Sequence, residues 1–180
     1  MSADDDLMRE LLARAGGRLA AYGYLLTGTQ HAGEDLVQDA IVKVFVRRRR
    51  LANAAAAEGY VRAAMRTLHL DRMRRESRWR RVAPGLVERT ELPDHADAVA
   101  VADAVARGLD ALSPRQRTAV VLRYFDDLPV VEVAHEMRLA TGTVKRYLSE
   151  ALERMGGVLG ADPERTEVVS TTTQDKEARR

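Results

Sequence analysis

Near the C-terminus, residues 130–155 read VVEVAHEMRLATGTVKRYLSEALERM. Apolar residues recur there at intervals of three and four, which is the period of a helix with one buried face. We predict two helices, at about Val130–Met137 and Thr141–Met155, joined by a turn of three or four residues. Ala134 supplies the small side chain that a close helix crossing needs, and Leu139 is expected to plug the turn. The segment therefore predicts a helix-turn-helix.

The second predicted helix has a polar and basic face opposite its expected buried residues, Val144, Leu148 and Leu152. Thr141 is expected to cap this helix, whose free backbone amides suit a phosphate. Side chains on the outer face near that end are able to reach base edges or phosphates in a major groove. They are Thr143, Lys145, Arg146 and Ser149. From the pattern alone, an ordinary helical hairpin within a bundle remains the alternative.

Two further helices are predicted before this motif. Ser113 and Gln116 have the spacing of a capping box, with Pro114 at the first helical position. Another helix is predicted at about residues 96–111, and Gly156-Gly157 is expected to end the last helix of the chain.

The N-terminal half has the same helical period. A first helix is predicted to end at Gly28, and a second runs from about Ala32 to Arg50. Residues 51–57, LANAAAA, are predicted to form a short joint, and a third helix begins near Glu58 with Tyr60 among its inward residues.

Positive charge is concentrated in one segment. Residues 47–81 contain 12 arginines and three acidic residues, a net charge of +9, although the whole chain carries only +2. Guanidinium groups bind phosphates, and an exposed Trp79 would be able to stack on an unpaired base. The alternative is a solvated basic face with Trp79 buried at a helix end. Because +9 is strongly self-repelling, the segment favours a polyanion partner.

An acidic patch lies on the second predicted helix, where Asp35, Gln38 and Asp39 share one face. Acidic residues in the first turn of a helix complement its macrodipole, which is the simpler explanation. A docking surface for a partner protein is the alternative.

Composition excludes several classes of function. The absence of cysteine removes disulfides, thiolate metal sites and a cysteine nucleophile together. The four histidines are scattered, and there is no glycine-rich phosphate loop, so we expect no catalytic residue, no metal site and no cofactor. No apolar run is long enough for a membrane span and the N-terminus lacks a secretory signal, which predicts a cytoplasmic protein without membrane insertion.

The domain organisation follows from where the helical period stops. Prolines and a glycine interrupt it after residue 81, within an acidic segment. We predict an all-α fold with two small helical domains, at residues 1–81 and 96–158, joined by a flexible linker at 82–95. Residues 159–180 are poor in apolar side chains and are predicted to be a disordered tail.

Three segments, in this order, resemble the extracytoplasmic-function (ECF) sigma factors of the sigma-70 family, actinobacterial type. Residues 25–45, LLTGTQHAGEDLVQDAIVKVF, are similar to the segment with which those proteins grip core RNA polymerase. Residues 59–75, GYVRAAMRTLHLDRMRR, are similar to their helix that melts promoter DNA and binds its −10 element. Residues 109–155 resemble their C-terminal domain, sigma region 4, which reads the −35 element.

The resemblance implies a transcription initiation factor that directs core polymerase to promoters and helps to melt the −10 element. Contact with the β′ clamp is implied for Glu34, Asp35, Gln38 and Asp39. Contact with −10 DNA is implied for Asn53, Thr67, Asp71, Arg72, Arg74, Arg75 and Trp79. Contact with −35 DNA is implied for Thr141, Thr143, Lys145, Arg146 and Ser149. The implied partners are the β and β′ subunits of core RNA polymerase, promoter DNA and an anti-sigma factor wedged between the domains, with the bound protein associated with the nucleoid.

Some residues depart from the family pattern. Thr67 stands where many members have Asn, while Tyr147 and Glu150 stand where some carry Arg, so no −35 sequence is transferred. The competing hypothesis is a conventional helix-turn-helix regulator, which would bind duplex DNA as a dimer without core polymerase.

Overall fold

The computed structural model describes residues 3–47, 51–82 and 100–159. These residues form helices and no strands, which confirms the all-α prediction for this part of the chain. The helices are α1 (Ala3–Thr27), α2 (Gln30–Arg47), α3 (Ala54–Val82), α4 (Ala100–Asp110), α5 (Pro114–Val120), a π-helical turn (Val121–Phe125), α6 (Val130–Met137) and α7 (Thr141–Leu159). In the predicted linker and tail, residues 83–95 and 160–180 lie outside the described residues. No helix in the described ranges has the length and apolar character needed to cross a membrane.

Helices α1, α2 and α3 form the first bundle. Its core contains side chains from all three helices, among them the fully buried Leu19, Leu36 and Met65. Gly23 and Gly33 let α1 and α2 cross closely, because a Cβ atom on Gly23 would lie 2.6 Å from the Gly33 carbonyl oxygen. Gly28 has a φ of 83° directly after α1, so the predicted stop is confirmed.

Helix α3 begins four residues earlier than predicted. Ala54 to Ala57 are helical, so the predicted joint at residues 51–57 is wrong in its second half. Asn53 explains the early start, because its Oδ1 accepts a hydrogen bond from the Ala56 amide at 2.9 Å and caps a run of strong helix formers. Tyr60, predicted to face inward, is 39% exposed.

Helices α4 to α7, with the π-helical turn, form the second bundle. The predicted capping box is confirmed: the Gln116 amide donates to Ser113 Oγ, and the Ser113 amide donates to Gln116 Oε1. Leu152, predicted to be buried, is 51% exposed, and Ala151 is buried in its place. The predicted stop at Gly156-Gly157 is also wrong: α7 continues to Leu159, and neither glycine has the positive φ of a helix-ending residue.

The two bundles pack against each other. Val121 of the second bundle is fully buried in the first core, whereas Leu70 of α3 is buried in the second. His69 Nε2 lies 2.8 Å from Thr118 Oγ1 within this contact, and both side chains are buried. The described residues therefore form two cores joined through α3 and the π-helical turn.

Candidate nucleic-acid interface

The α6–α7 pair has helix-turn-helix geometry. Arg138 ends α6 with a φ of 52°, a left-handed conformation that redirects the chain. Leu139 packs into the second core from the turn, as predicted. Thr141 is the first residue of α7 rather than its cap, because the Ala140 carbonyl already accepts from the Thr143 and Val144 amides. No signal in the sequence indicated the left-handed residue, since Arg rarely adopts this conformation.

The outer face of α7 is open to solvent. Lys145, Arg146 and Ser149 are exposed and Thr143 is half-buried, whereas Val144 and Leu148 face the core. The predicted DNA-reading residues of this helix thus share a surface that its own packing leaves uncovered.

Glu150 has a structural role that the sequence did not reveal. Its Oε2 accepts a hydrogen bond from Gln116 Nε2 at 2.7 Å, and Gln116 Oε1 accepts from Arg154 at 3.2 Å. Arg146 Nε lies 3.6 Å from the same carboxylate. Glu150 therefore connects α7 to α5 and neutralises part of the charge on the outer face. Only the capping role of Gln116 was readable from its spacing to Ser113.

The predicted −10 residues of α3 divide between two faces. Arg75 and Trp79 are exposed, Trp79 to 70%, so the interpretation of a Trp buried at a helix end is wrong. Arg74 lies toward the second bundle and donates to Asp71 at 2.5 Å and to the Glu136 carbonyl oxygen at 3.0 Å. Arg74 thus lies on a different side of α3 from Arg75 and Trp79.

The remaining predicted −10 residues make local contacts. Thr67 is exposed, with its hydroxyl donating to the Ala63 carbonyl oxygen at 2.9 Å. Arg72 donates to Asp39 of α2 at 2.5 Å. Asn53 uses its side-chain oxygen to cap α3, as described above.

The acidic patch forms an exposed face of α2. Glu34, Asp35, Gln38 and Asp39 are all exposed. Glu34 accepts a hydrogen bond from Gln30 at 2.9 Å, and Asp35 lies 3.8 Å from His31. Asp39 forms an ion pair with Arg72, so the acidic face of α2 adjoins the arginine side chains of α3. An acidic and a basic surface are therefore contiguous on the first bundle.

Comparison with known proteins decides the family. The family model described as "Sigma-70, region 4" matches residues 102–155, which include the helix-turn-helix. The RNA polymerase sigma-E factor of Streptomyces avermitilis is 31% identical over 131 residues, covering 68% of this chain and 68% of that protein. The chain belongs to the ECF sigma factors. The ECF RNA polymerase sigma factor SigE of Mycolicibacterium smegmatis is 30% identical over 155 residues, covering 81% of the chain and 59% of that protein.

The fold is shared with a solved structure. The sigma factor RpoE, in complex with the anti-sigma factor NepR from Bartonella quintana, matches with a TM-score of 0.53 at 22% identity, over 86% of this chain and 98% of that one. Membership in the sigma factor family favours a polymerase-dependent initiation factor over the conventional helix-turn-helix regulator.

This sigma factor has a basic cleft between its bundles. The cleft has a volume of about 360 Å³. Its apolar lining comes from Leu70, Met73, Met137 and Leu139, and its guanidinium groups belong to Arg74, Arg78, Arg115 and Arg138. These residues are far apart in the sequence, so only the packing of the bundles shows that they line one cleft.

Two buried titratable groups lie where the bundles meet. Burial, with Arg72 and Arg117 nearby, lowers the pKa of His69 from 6.5 to about 4. Burial and a hydrogen bond to Asp126 raise the pKa of Tyr22 well above its ordinary value of 10. His69 is therefore neutral and the Tyr22 hydroxyl is protonated near neutral pH.

Proposed function

We propose that this ECF sigma factor directs core RNA polymerase to specific promoters and helps to melt their −10 element. One observation carries the proposal. The N-terminal half of α7 presents Lys145, Arg146 and Ser149 to solvent, on the side of a helix-turn-helix that enters a major groove in proteins of this type.

We assign the two bundles different parts of the same task. Residues 1–81 bind core polymerase and the −10 element, and residues 96–158 read the −35 element. The exposed acidic face of α2 supports the first assignment, because carboxylates on a rigid helix suit a basic partner surface. This face would contact the β′ subunit, while other surfaces of the factor would contact β.

Melting requires a means of holding the separated strand. Trp79 is exposed beside Arg75, an arrangement that suits stacking on an unpaired base together with binding of its phosphate. Stacking contributes roughly 1–3 kcal/mol per base, which offsets the few kcal/mol needed to unstack a base from the duplex. Arg72, Arg74 and Asp71 would complete the −10 contacts once their present partners are exchanged for DNA.

The protein acts as an initiation factor and performs no catalytic step of its own. It acts in the cytoplasm, where polymerase transcribes, and joins the nucleoid when bound to polymerase. An anti-sigma factor is a further partner, as the complex of RpoE with NepR supports for a protein of the same fold.

Binding to core polymerase tests the role of α2. We expect the double variant Asp35→Ala/Asp39→Ala to bind core polymerase at least tenfold more weakly, because carboxylates at the centre of a charged contact each contribute about 1 kcal/mol or more. Asp6→Ala/Glu10→Ala is the matched control, since it removes two exposed acids at the same spacing from α1. Equal affinities of the two double variants in a pull-down titration would refute the assignment.

Run-off transcription tests the role of α7. We expect Lys145→Ala and Arg146→Ala to lower the yield from a −35-dependent promoter, while the exposed Arg14→Ala in α1 has no effect. The slope of log binding constant against log salt should fall by about one for each phosphate that the variant no longer binds. Full yield from both α7 variants would contradict their role in DNA binding.

A further inference from the structure

An arginine on the exposed face of α7 is held by a chain of contacts that begins in a buried helix cap. The side chain of Arg146 is 65% exposed, and its Nε lies 3.6 Å from Oε1 of Glu150, one turn further along the same helix. The other oxygen of that carboxylate, Oε2, accepts a hydrogen bond from Gln116 Nε2 at 2.7 Å. Gln116 belongs to α5 and is only 3% exposed. One carboxylate therefore links the exposed guanidinium to the interior of the second bundle.

The capping box fixes the direction in which the Gln116 amide points. Its Oε1 accepts hydrogen bonds from the Ser113 amide at 3.1 Å and from Arg154 at 3.2 Å. The carbonyl oxygen therefore has to face these two donors, and the NH₂ group is left to face Glu150. A flipped amide would lose both bonds and would set its oxygen against the carboxylate. Glu150 consequently has a defined position before any DNA is bound.

The position of the carboxylate leaves the terminal nitrogens of Arg146 for another acceptor. Glu150 lies at Nε, so the fork formed by Nη1 and Nη2 is not the part of the guanidinium that faces it. The guanidinium carbon also lies 5.8 Å from the centre of the Tyr147 ring, which supports the side chain from a second side. In a major groove, O6 and N7 of guanine form the pair of acceptors that such a fork matches.

The same contacts disfavour two simpler roles for this pair. A carboxylate is able to accept a hydrogen bond from a cytosine amino group, but one oxygen of Glu150 is bonded to Gln116 and the other faces Arg146. An arginine that only bound phosphate would gain nothing from a neighbouring carboxylate, because the carboxylate repels the same phosphate. A fixed carboxylate beside an arginine helps where the guanidinium has to be aimed at a particular base.

We propose that Glu150 is a positioning residue that aims Arg146 at a guanine of the −35 element, and that Gln116 holds Glu150 in this role. The assignment rests on the proposed function and deepens it, because it gives a base to a helix face for which only DNA contact was inferred. Its physical basis is pre-organisation: a long side chain that is fixed in advance loses less rotamer freedom when it binds.

Promoter variants measure the base preference. Run-off yield with core polymerase is compared over a set of promoters that carries each of the four base pairs at every −35 position. One position should favour a G·C pair by roughly five- to a hundredfold, which is the discrimination expected of a bidentate arginine–guanine contact. Arg146→Ala should abolish the preference at that position and leave the preferences at the other positions. Glu150→Gln should reduce the same preference by about threefold or more, as expected for two residues in one network.

Glu150→Gln separates positioning from a purely structural role. The new amide keeps the shape of the side chain, and its oxygen is still able to accept from Gln116, so the link to α5 is retained. Its NH₂ group then faces Arg146 Nε, and two donors do not hold each other. Glu153→Gln is the matched control, because it makes the same chemical change at an exposed residue of the same helix. In an Arg146→Ala background, Glu150→Gln should have no further effect on the preference.

A measurement on the free full chain tests the positioning without transcription. The NMR signal of the Arg146 Nε–H group is identified by its loss in Arg146→Lys, and its order parameter is then measured in the other variants. We expect the order parameter to fall in Glu150→Gln toward the range of flexible groups, below about 0.6, and to stay unchanged in Glu153→Gln. Both variants should unfold at the same urea concentration as the unaltered protein, to within the effect of an exposed substitution.

Each result has a defined meaning. Equal base preferences, or equal order parameters, in Glu150→Gln and Glu153→Gln would overturn the positioning role. A preference that survived Arg146→Ala and disappeared with Glu150→Gln would overturn it as well, because Glu150 would then read the base directly. If the unaltered protein gave no product from any promoter, the proposed function would fail, while the NMR comparison would still decide whether Glu150 holds Arg146.

Discussion

His69 is expected to make the stability of the protein depend on pH. Its side chain is 7% exposed and lies against Thr118, with Arg72 and Arg117 close enough to disfavour a positive charge. In the folded chain its pKa is about 4, compared with 6.5 for an ordinary histidine. The unfolded chain therefore binds more protons than the folded chain between these two values. The stabilisation is complete above pH 6.5 and is lost as the pH falls toward 4.

The size of the effect follows from the pKa difference. One pKa unit corresponds to about 1.4 kcal/mol, so the full shift represents roughly 3 kcal/mol. Integration over pH gives a loss of roughly 2 kcal/mol between pH 7.5 and pH 5 from this one side chain. Other groups contribute to the total pH dependence, and a variant without His69 isolates its share.

Urea unfolding followed by circular dichroism measures this share. Between pH 7.5 and pH 5, we expect the free energy of unfolding of the unaltered protein to fall by roughly 2 kcal/mol more than that of His69→Gln. His135→Gln is the control, because this histidine is exposed on α6, and it should retain the full pH dependence of the unaltered protein. If His69→Gln and the unaltered protein lost stability equally, the buried neutral histidine would be refuted as the cause.

Three further predictions address packing, melting and the support of α7. Leu36→Ala removes a fully buried side chain, and urea titration should show a loss of about 2–5 kcal/mol in the free energy of unfolding. The control Leu12→Ala changes a residue that is 46% exposed and should lose less than about 1 kcal/mol. Similar losses for the two variants would contradict the assigned core. Trp79→Ala should reduce permanganate reactivity of −10 thymines in the polymerase–promoter complex by roughly tenfold, as expected when one base is no longer stacked on an aromatic ring, and undiminished reactivity would argue against base capture. Gln116→Ala breaks the link from α5 to Glu150 and should lower −35-dependent transcription with core affinity intact; a matching drop in core affinity would show wider damage.

Local sequence signals explain which helix ends were predictable. Ser113 with Gln116, and Gly28 at positive φ, act through backbone groups within a few residues, so their spacing in the sequence is sufficient. The Asn53 cap acts in the same way, but its position was not predicted. In an alanine-rich segment a helix can begin at any of several residues equally well, because all of them are strong helix formers. The predicted helix end at Gly156-Gly157 was wrong because glycine permits a helix to end but does not require it to do so.

Long-range contacts account for what the sequence could not show. Leu152 fits the helical period as well as Ala151 does, and only the position of the neighbouring helices decides which one is buried. Asp126 reads as one of two acids in a turn, yet its partners Tyr22 and Arg62 precede it by 104 and 64 residues. The exposed polar and basic face of α7 was predictable because it depends on the period of a single helix.

Transcription from genomic DNA tests the central claim most directly. Purified protein is mixed with core RNA polymerase and fragmented genomic DNA, and the 5′ ends of the transcripts are mapped. We predict a small set of start sites that core polymerase alone does not use, preceded by shared −10 and −35 elements and lost with Asp35→Ala/Asp39→Ala. A chain that produced no new start sites, and instead bound duplex DNA tightly as a dimer without polymerase, would contradict the account.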